Sequence, residues 1–300
     1  MKENNSNNKL SLLAVFAHPD DESIMMGGTL AFYARRGVEV HVLCATRGEW
    51  GSISDSSLAS RENLGAVREI ELQNACEILG ANLLGFLDCP DGNVNETNWR
   101  ETEEKIVKAI RRTRPQVVVT FGPDGFYWHP DHIAIGSITT QAFASAGKND
   151  CFRSQFEEGI MPFQPEKLYY AVYPDFLMRQ LATSVSEKNE AAHLWGFSAE
   201  SFGVPAREIT TMLNIEETLS EKMQAIRSHQ TQFAPDNVFS LLDDEAAKLF
   251  LSREYFRLAH PANFSKDLEV DLFAEIENAN GKALNGCKSV IYSTAEGCKI

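Results

Sequence analysis

Short apolar runs, each ending in a polar burst, punctuate the first half of the chain, and amphipathic stretches separate them. Leu10–Ala17 reads as a buried parallel strand, because Leu12, Leu13, Ala14, Val15 and Phe16 are continuously apolar rather than alternating. Val38–Thr46 predicts a second strand, with Val38, Val40 and Val42 set against Glu39 and His41. Leu83–Leu87 and Gln116–Phe121 predict two more. Helices are expected over Ser23–Arg36, closed by Gly37, and over Ala59–Leu79, stopped by Gly80. Two others are expected over Trp99–Thr113, ended before Pro115, and over Asp131–Ala146. This alternation implies an α/β fold: a mainly parallel sheet with helices on both faces and right-handed crossovers.

Beyond Lys148 the pattern loosens. Lys167–Tyr173, Ala206–Leu213 and the short Tyr255–Ala259 predict strands, and Glu245–Leu251 a helix. Glu216–Gln230 predicts another helix, its acidic first turn and basic last turn suiting the macrodipole. No composition break marks a boundary. Residues 10–267 are therefore expected to form one domain with a C-terminal elaboration. A disordered tail at 1–9 and a weakly patterned tail at 268–300 flank it.

Composition narrows the function. The chain has 300 residues, 43% hydrophobic and 23% charged, enough to fill a sizeable core. A formal net charge of -14 argues against nucleic acid and anionic membranes as partners. No apolar run reaches the roughly 18–20 residues of a membrane span. Met1–Lys9 lacks the apolar core of a secretory signal, and the six cysteines form no CxxC pair. A cytoplasmic protein is expected, with Cys44 and Cys76 as small core residues. Gly27-Gly28 lacks the G-x-G-x-x-G spacing, which argues against a nicotinamide or flavin cofactor.

The chemistry lies at two strand ends. Ala17-His18-Pro19-Asp20-Asp21-Glu22 follows the first strand, and His129-Pro130-Asp131-His132 follows Val117–Phe121. Ligands collect at the carboxyl ends of such strands. His18, Asp21 and His132 make a three-ligand set for one divalent metal, with the remaining position left to water. Coordination lowers the pKa of water from about 15.7 to around 7. Asp20 and Asp21 can divide the roles of base and ligand, and His129 is left to stabilise charge or protonate a leaving group. Separately, either cluster is an ordinary loop, and Asp20 or Asp21 could simply cap the helix near Ser23. His41, His193 and His260 read as structural or surface residues, and His229 has no acidic partner nearby in sequence.

These two motifs resemble the signatures of the LmbE-like (PIG-L) N-acetylglucosamine deacetylase superfamily. Thr46-Arg47-Gly48-Glu49, Arg68, Leu79-Gly80 and Pro90-Asp91-Gly92 support the likeness, with a weaker echo at Ser228-His229-Gln230-Thr231-Gln232. The resemblance implies a Rossmann-like sheet and zinc held by His18, Asp21 and His132; iron(II) or another divalent ion also suits such a set. It makes Asp20 the general base, His129 the electrophilic or acid partner and Asp131 a carboxylate that orients a histidine. Tyr127 falls where members place a tyrosine near the oxyanion, and Arg68 and Asp91 where sugar-deacetylating members face substrate. Trp128 stands where the family usually has glycine, either as a wall that narrows the pocket or stacks on a sugar or as a ring packed in its own loop.

The expected reaction is hydrolysis of an N-acyl group, most often N-acetyl, from an amino sugar or glucosaminyl conjugate. Competing readings are a metal-containing carbohydrate-binding protein without catalysis and an amidase acting on thiol conjugates. The absent phosphate loop argues against a nucleotide-binding protein. Some members of the superfamily form rings, so a homo-oligomer is compatible with the resemblance.

Overall fold

The computed structural model describes residues 9–186, 202–235, 237, 239–262 and 267–276. Residues 1–8 and 277–300, and His193 with its neighbours, lie outside the described residues. The chain runs β1 (Ser11–Phe16), α1 (Asp21–Arg35), β2 (Glu39–Cys44), α2 (Leu64–Leu79), β3 (Asn82–Phe86) and α3 (Trp99–Thr113). It continues through β4 (Val117–Phe121), α4 (Gly125–Trp128), α5 (Pro130–Ala146), α6 (Ser154–Glu157), β5 (Lys167–Val172) and α7 (Asp175–Ser186). The last elements are β6 (Thr211–Asn214), α8 (Leu219–Ser228), α9 (Asp244–Leu251) and β7 (Arg253–His260).

One seven-stranded sheet has the order β3-β2-β1-β4-β5-β7-β6. β1 to β5 pair in parallel, and β7 runs antiparallel between β5 and β6. Every residue of β1 is buried, which explains its continuous apolar run. Chain direction across the sheet reverses at β1, with β2 on one side and β4 on the other. With right-handed crossovers, this reversal sends the connecting helices to opposite faces. α1, α2 and α8 pack together, as do α3 and α5. The reversal opens a crevice at the carboxyl ends of β1 and β4, the place where open α/β sheets bind ligands.

Several expected boundaries move for local reasons. α2 starts at Leu64 rather than Ala59, because Asp55 and Asn63 side chains accept the amides of Ser57 and Ser60 and hold the preceding residues in turns. The strand expected from Ala206 begins at Thr211, after a single 3-10 turn behind Pro205. Asn214 accepts the Glu216 amide at 2.9 Å, and a 3-10 turn precedes α8 proper. His41 is half-buried in β2, and His260 is exposed beside the Phe143 ring.

A buried ion pair of the C-terminal half grips the backbone of α1. α1 departs from helical geometry at Met26, and the Gly28 and Thr29 amides donate to the two oxygens of Glu254 at 3.0 and 2.7 Å. Lys222 Nζ lies 2.7 Å from the same carboxylate, and neither side chain is exposed. A Cβ on Gly28 would fall 2.6 Å from Ile215, so close packing demands glycine there. Residues 267–276 also pack inward: Tyr33 donates to Asp271 at 2.6 Å, and Leu272 and Phe273 are buried.

Candidate active site

Both sequence clusters converge on the crevice between β1 and β4. His18 and Asp21 lie at the start of α1, where the His18 amide donates to Asp21 Oδ2 at 2.8 Å. His132 comes from the first turn of α5, its ring stacked on Phe121 at 3.9 Å. His18 Nδ1 and His132 Nε2 are 3.1 Å apart, and Asp21 oxygens lie 3.6 and 3.4 Å from those two nitrogens. A tetrahedral ion with bonds of about 2.0–2.1 Å sets its donors roughly 3.3 Å apart, so this spacing fits a shared cation.

The remaining ring nitrogens are held from behind. His18 Nε2 meets Asp131 and Asp91 oxygens, each at 3.2 Å, and His132 Nδ1 meets the Gly125 carbonyl at 3.1 Å. Such contacts orient metal-binding histidines. Asp131 is itself fixed by the Gly92 and Val94 amides at 2.7 and 3.0 Å. Electrostatics agree. Burial holds His132 down to about 3, with Asp21 opposing and His18 reinforcing. Burial disfavours charge on His18 too, yet hydrogen bonds to Asp131, Asp21 and Asp91 raise it well above its usual value. His129 also brings a ring nitrogen within reach of His18 and His132, which makes it a competing ligand.

Asp20 occupies the N-cap position of α1 but makes no side-chain cap, which excludes the plain capping role. Its carboxylate lies 3.1 Å from Arg68 Nη2. Burial pushes it up to about 7, against the pull of Arg68 and with repulsion from Asp21. Arg68 is buried in α2 and also donates to the Pro19 and Gly48 carbonyls at 2.5 and 2.9 Å. A Cβ at Gly48 would collide with that guanidinium, a reason for glycine in Thr46-Arg47-Gly48-Glu49. His129 caps α5: its Nδ1 accepts the Asp131 amide at 3.2 Å. The neutral ring therefore carries its proton on Nε2. Burial and the His18 charge lower its pKa, which keeps it neutral.

A cavity of about 350 Å³ joins these groups, within the range of small-molecule sites. Tyr127, Arg68 and Asp91 belong to its wall. Trp128 is not among the wall residues; it is 67% exposed, with φ of 67°. That left-handed backbone is where glycine sits at ease. The wall's tryptophan is Trp50, 69% exposed, whose amide donates to Asp91 at 2.7 Å. Gln232 also lines the wall. Residue type offered no signal for Trp50; for Gln232 the signal was the echo at 228–232.

A family model described as GlcNAc-PI de-N-acetylase (PIG-L) matches residues 13–143, which contain both clusters. A curated relative from Rhodococcus jostii is 34% identical over 294 residues, covering 88% of this chain and 98% of its own. It is named 1D-myo-inositol 2-acetamido-2-deoxy-alpha-D-glucopyranoside deacetylase. The chain belongs to the PIG-L family. Another such relative, deacetylase 1 of Catenulispora acidiphila, is 31% identical over 301 residues and covers 91% of each chain. Among solved structures, N,N'-diacetylchitobiose deacetylase from Pyrococcus horikoshii matches with a TM-score of 0.62 and 22% identity over 83% of each chain. GalB, a 4-carboxy-2-hydroxymuconate hydratase from Pseudomonas putida, reaches 0.60 with 19% identity, over 85% of this chain and 98% of its own. One fold thus carries more than one reaction, and the PIG-L site must be read from its residues.

Proposed function

We propose that this protein is a metal-dependent deacetylase that cleaves the N-acetyl group from a glucosaminyl conjugate, its sugar joined to a polyol such as inositol. His18, Asp21 and His132 would hold the ion, with zinc the first choice and iron(II) a second that suits the same donors. A cation there polarises the acyl oxygen and makes water easier to deprotonate.

Asp20 takes the proton of the attacking water, and its burial, which favours the protonated form, suits this task. As the acyl carbon becomes tetrahedral, charge grows on its oxygen. Neutral His129 donates from Nε2 toward that oxygen, with Tyr127 on the same wall. Because His129 is held neutral, Asp20 is the group that returns its proton to the departing amine. The products are the free amino sugar and acetate. Arg68 keeps Asp20 in place, Asp131 orients His18, and Asp91 joins Trp50 to the site.

The observation that carries this reading is the convergence of Asp20, His129 and the His18–Asp21–His132 set on one pocket, in a chain whose relatives align over nearly their whole length. The test is acetate release from 2-acetamido-2-deoxy-glucopyranosyl inositol, free N-acetylglucosamine and diacetylchitobiose, with zinc and with a chelator. The conjugate should turn over fastest and chelation should abolish the reaction. Binding of these sugars without acetate release would establish the carbohydrate-binding alternative instead.

A further inference from the structure

Asp20 holds a backbone conformation that helix entry does not require. Its φ of 126° and ψ of −28° fall where L-residues rarely lie, a strain that surrounding structure must hold. Its amide donates to Glu22 Oε2 at 3.1 Å. The other oxygen of Glu22 accepts the Ser23 hydroxyl at 2.5 Å and lies 2.9 Å from His229 Nε2. Glu22, Ser23 and His229 are all buried, and none of them belongs to the pocket wall. His229 stands at the C-cap of α8, where the carbonyl end of a helix favours a cationic ring.

We propose that Ser23 and His229 lock the Glu22 carboxylate, and that Glu22 in turn holds the Asp20 peptide so that its carboxylate faces the reacting water instead of the helix. The proposal rests on Asp20 being the base of the reaction above. In a capping box, a glutamate of the first turn reaches back to the N-cap amide while the N-cap side chain bonds the helix in return. Here Glu22 stands at N2 rather than the box's N3 and makes only the reach back to the amide; the Asp20 side chain is withheld from the helix and lies in the pocket. An N-cap aspartate free to relax would place its carboxylate on the first-turn amides and leave the pocket without its base. Glu22 is thus a positioning residue, and the C-terminal half of the chain reaches the reaction through His229.

The test uses full-length, zinc-loaded Glu22→Ala, Glu22→Gln, Ser23→Ala and His229→Gln. Glu22→Ala should lower kcat by about 10- to 100-fold, the range for loss of a supporting contact, with KM and zinc stoichiometry unchanged. Glu22→Gln keeps an acceptor for the Asp20 amide but turns an NH2 toward Ser23 and His229, so it should recover only part of that loss. A Glu22→Ala protein that loses thermal stability but keeps wild-type kcat would show a simple helix cap and overturn the proposal; so would a glutamine variant no better than alanine. If Glu22→Ala does not fold, Ser23→Ala and His229→Gln decide. A lowered kcat at unchanged KM in Ser23→Ala and His229→Gln supports the lock, and wild-type kcat in both overturns it. Wild-type protein inactive on every N-acetyl sugar would instead sink the reaction. The Asp20 backbone in a crystal structure of Glu22→Ala then judges the lock alone: relaxed φ supports it, unchanged φ overturns it.

Discussion

Replacing His129 by alanine separates two roles that one ring performs. Nδ1 accepts the Asp131 amide and caps α5, and Nε2 carries the proton offered to the oxyanion. Loss of an N-cap costs about 1 kcal/mol, which for a chain of this size lowers Tm by roughly 2–4 °C. Loss of one oxyanion donor raises the barrier by about 2.7–4 kcal/mol, a hundred- to a thousandfold in kcat. His129→Ala should therefore show a small fall in Tm and a large fall in kcat, with zinc retained. Asparagine is a good N-cap but too short to replace Nε2, so His129→Asn should recover Tm and stay slow. Acetate release, thermal unfolding and metal analysis on the same samples read the effects apart. Near-wild-type turnover in His129→Ala would refute its part in the reaction. Loss of zinc would move His129 into the ligand set, as its closeness to His18 and His132 allows.

Glu254→Ala strands the buried Lys222 charge and the two α1 amides, and should cost about 3–5 kcal/mol in denaturant unfolding; a loss under about 1 kcal/mol would mean that water or another group replaces the pair. Trp128→Gly relieves a left-handed backbone worth about 1–2 kcal/mol while loosening the unfolded chain by about 0.5–1, so Tm should hold or rise slightly and activity persist. A marked drop in kcat/KM there would restore Trp128 to the substrate site. Trp50→Ala removes an exposed ring from the pocket wall and should raise KM about 2- to 10-fold at constant kcat, as loss of one stacking contact would. Unchanged KM would mean that the substrate does not reach that wall.

The parallel half of the fold was legible because its strands are short apolar runs or, in β2, an apolar–polar alternation, and β1 to β4 appear where those patterns place them. Their polar ends carry the site, so the two clusters could be read together before any geometry was known. The C-terminal half was less legible. β7 inserts between β5 and β6, an order that local periodicity does not encode. Residues 267–276 have no repeating apolar pattern, yet Leu272 and Phe273 fill the space beside Tyr33. His229 lacked an acidic neighbour in sequence because its partner, Glu22, stands 207 residues away. For Trp128 the sequence leaves a pocket wall and plain loop packing both open; the ring is 67% exposed and outside the pocket lining, which takes Trp50 instead.

The proposed grip of His18, Asp21 and His132 on one catalytic cation is tested by metal analysis of purified protein beside a His18→Ala/His132→Ala double variant of confirmed fold. One zinc or iron ion per wild-type chain, absent from the double variant along with acetate release, is the predicted result. A double variant that retains the ion at full stoichiometry, or a wild type that cleaves N-acetyl sugars with no metal bound, would contradict it.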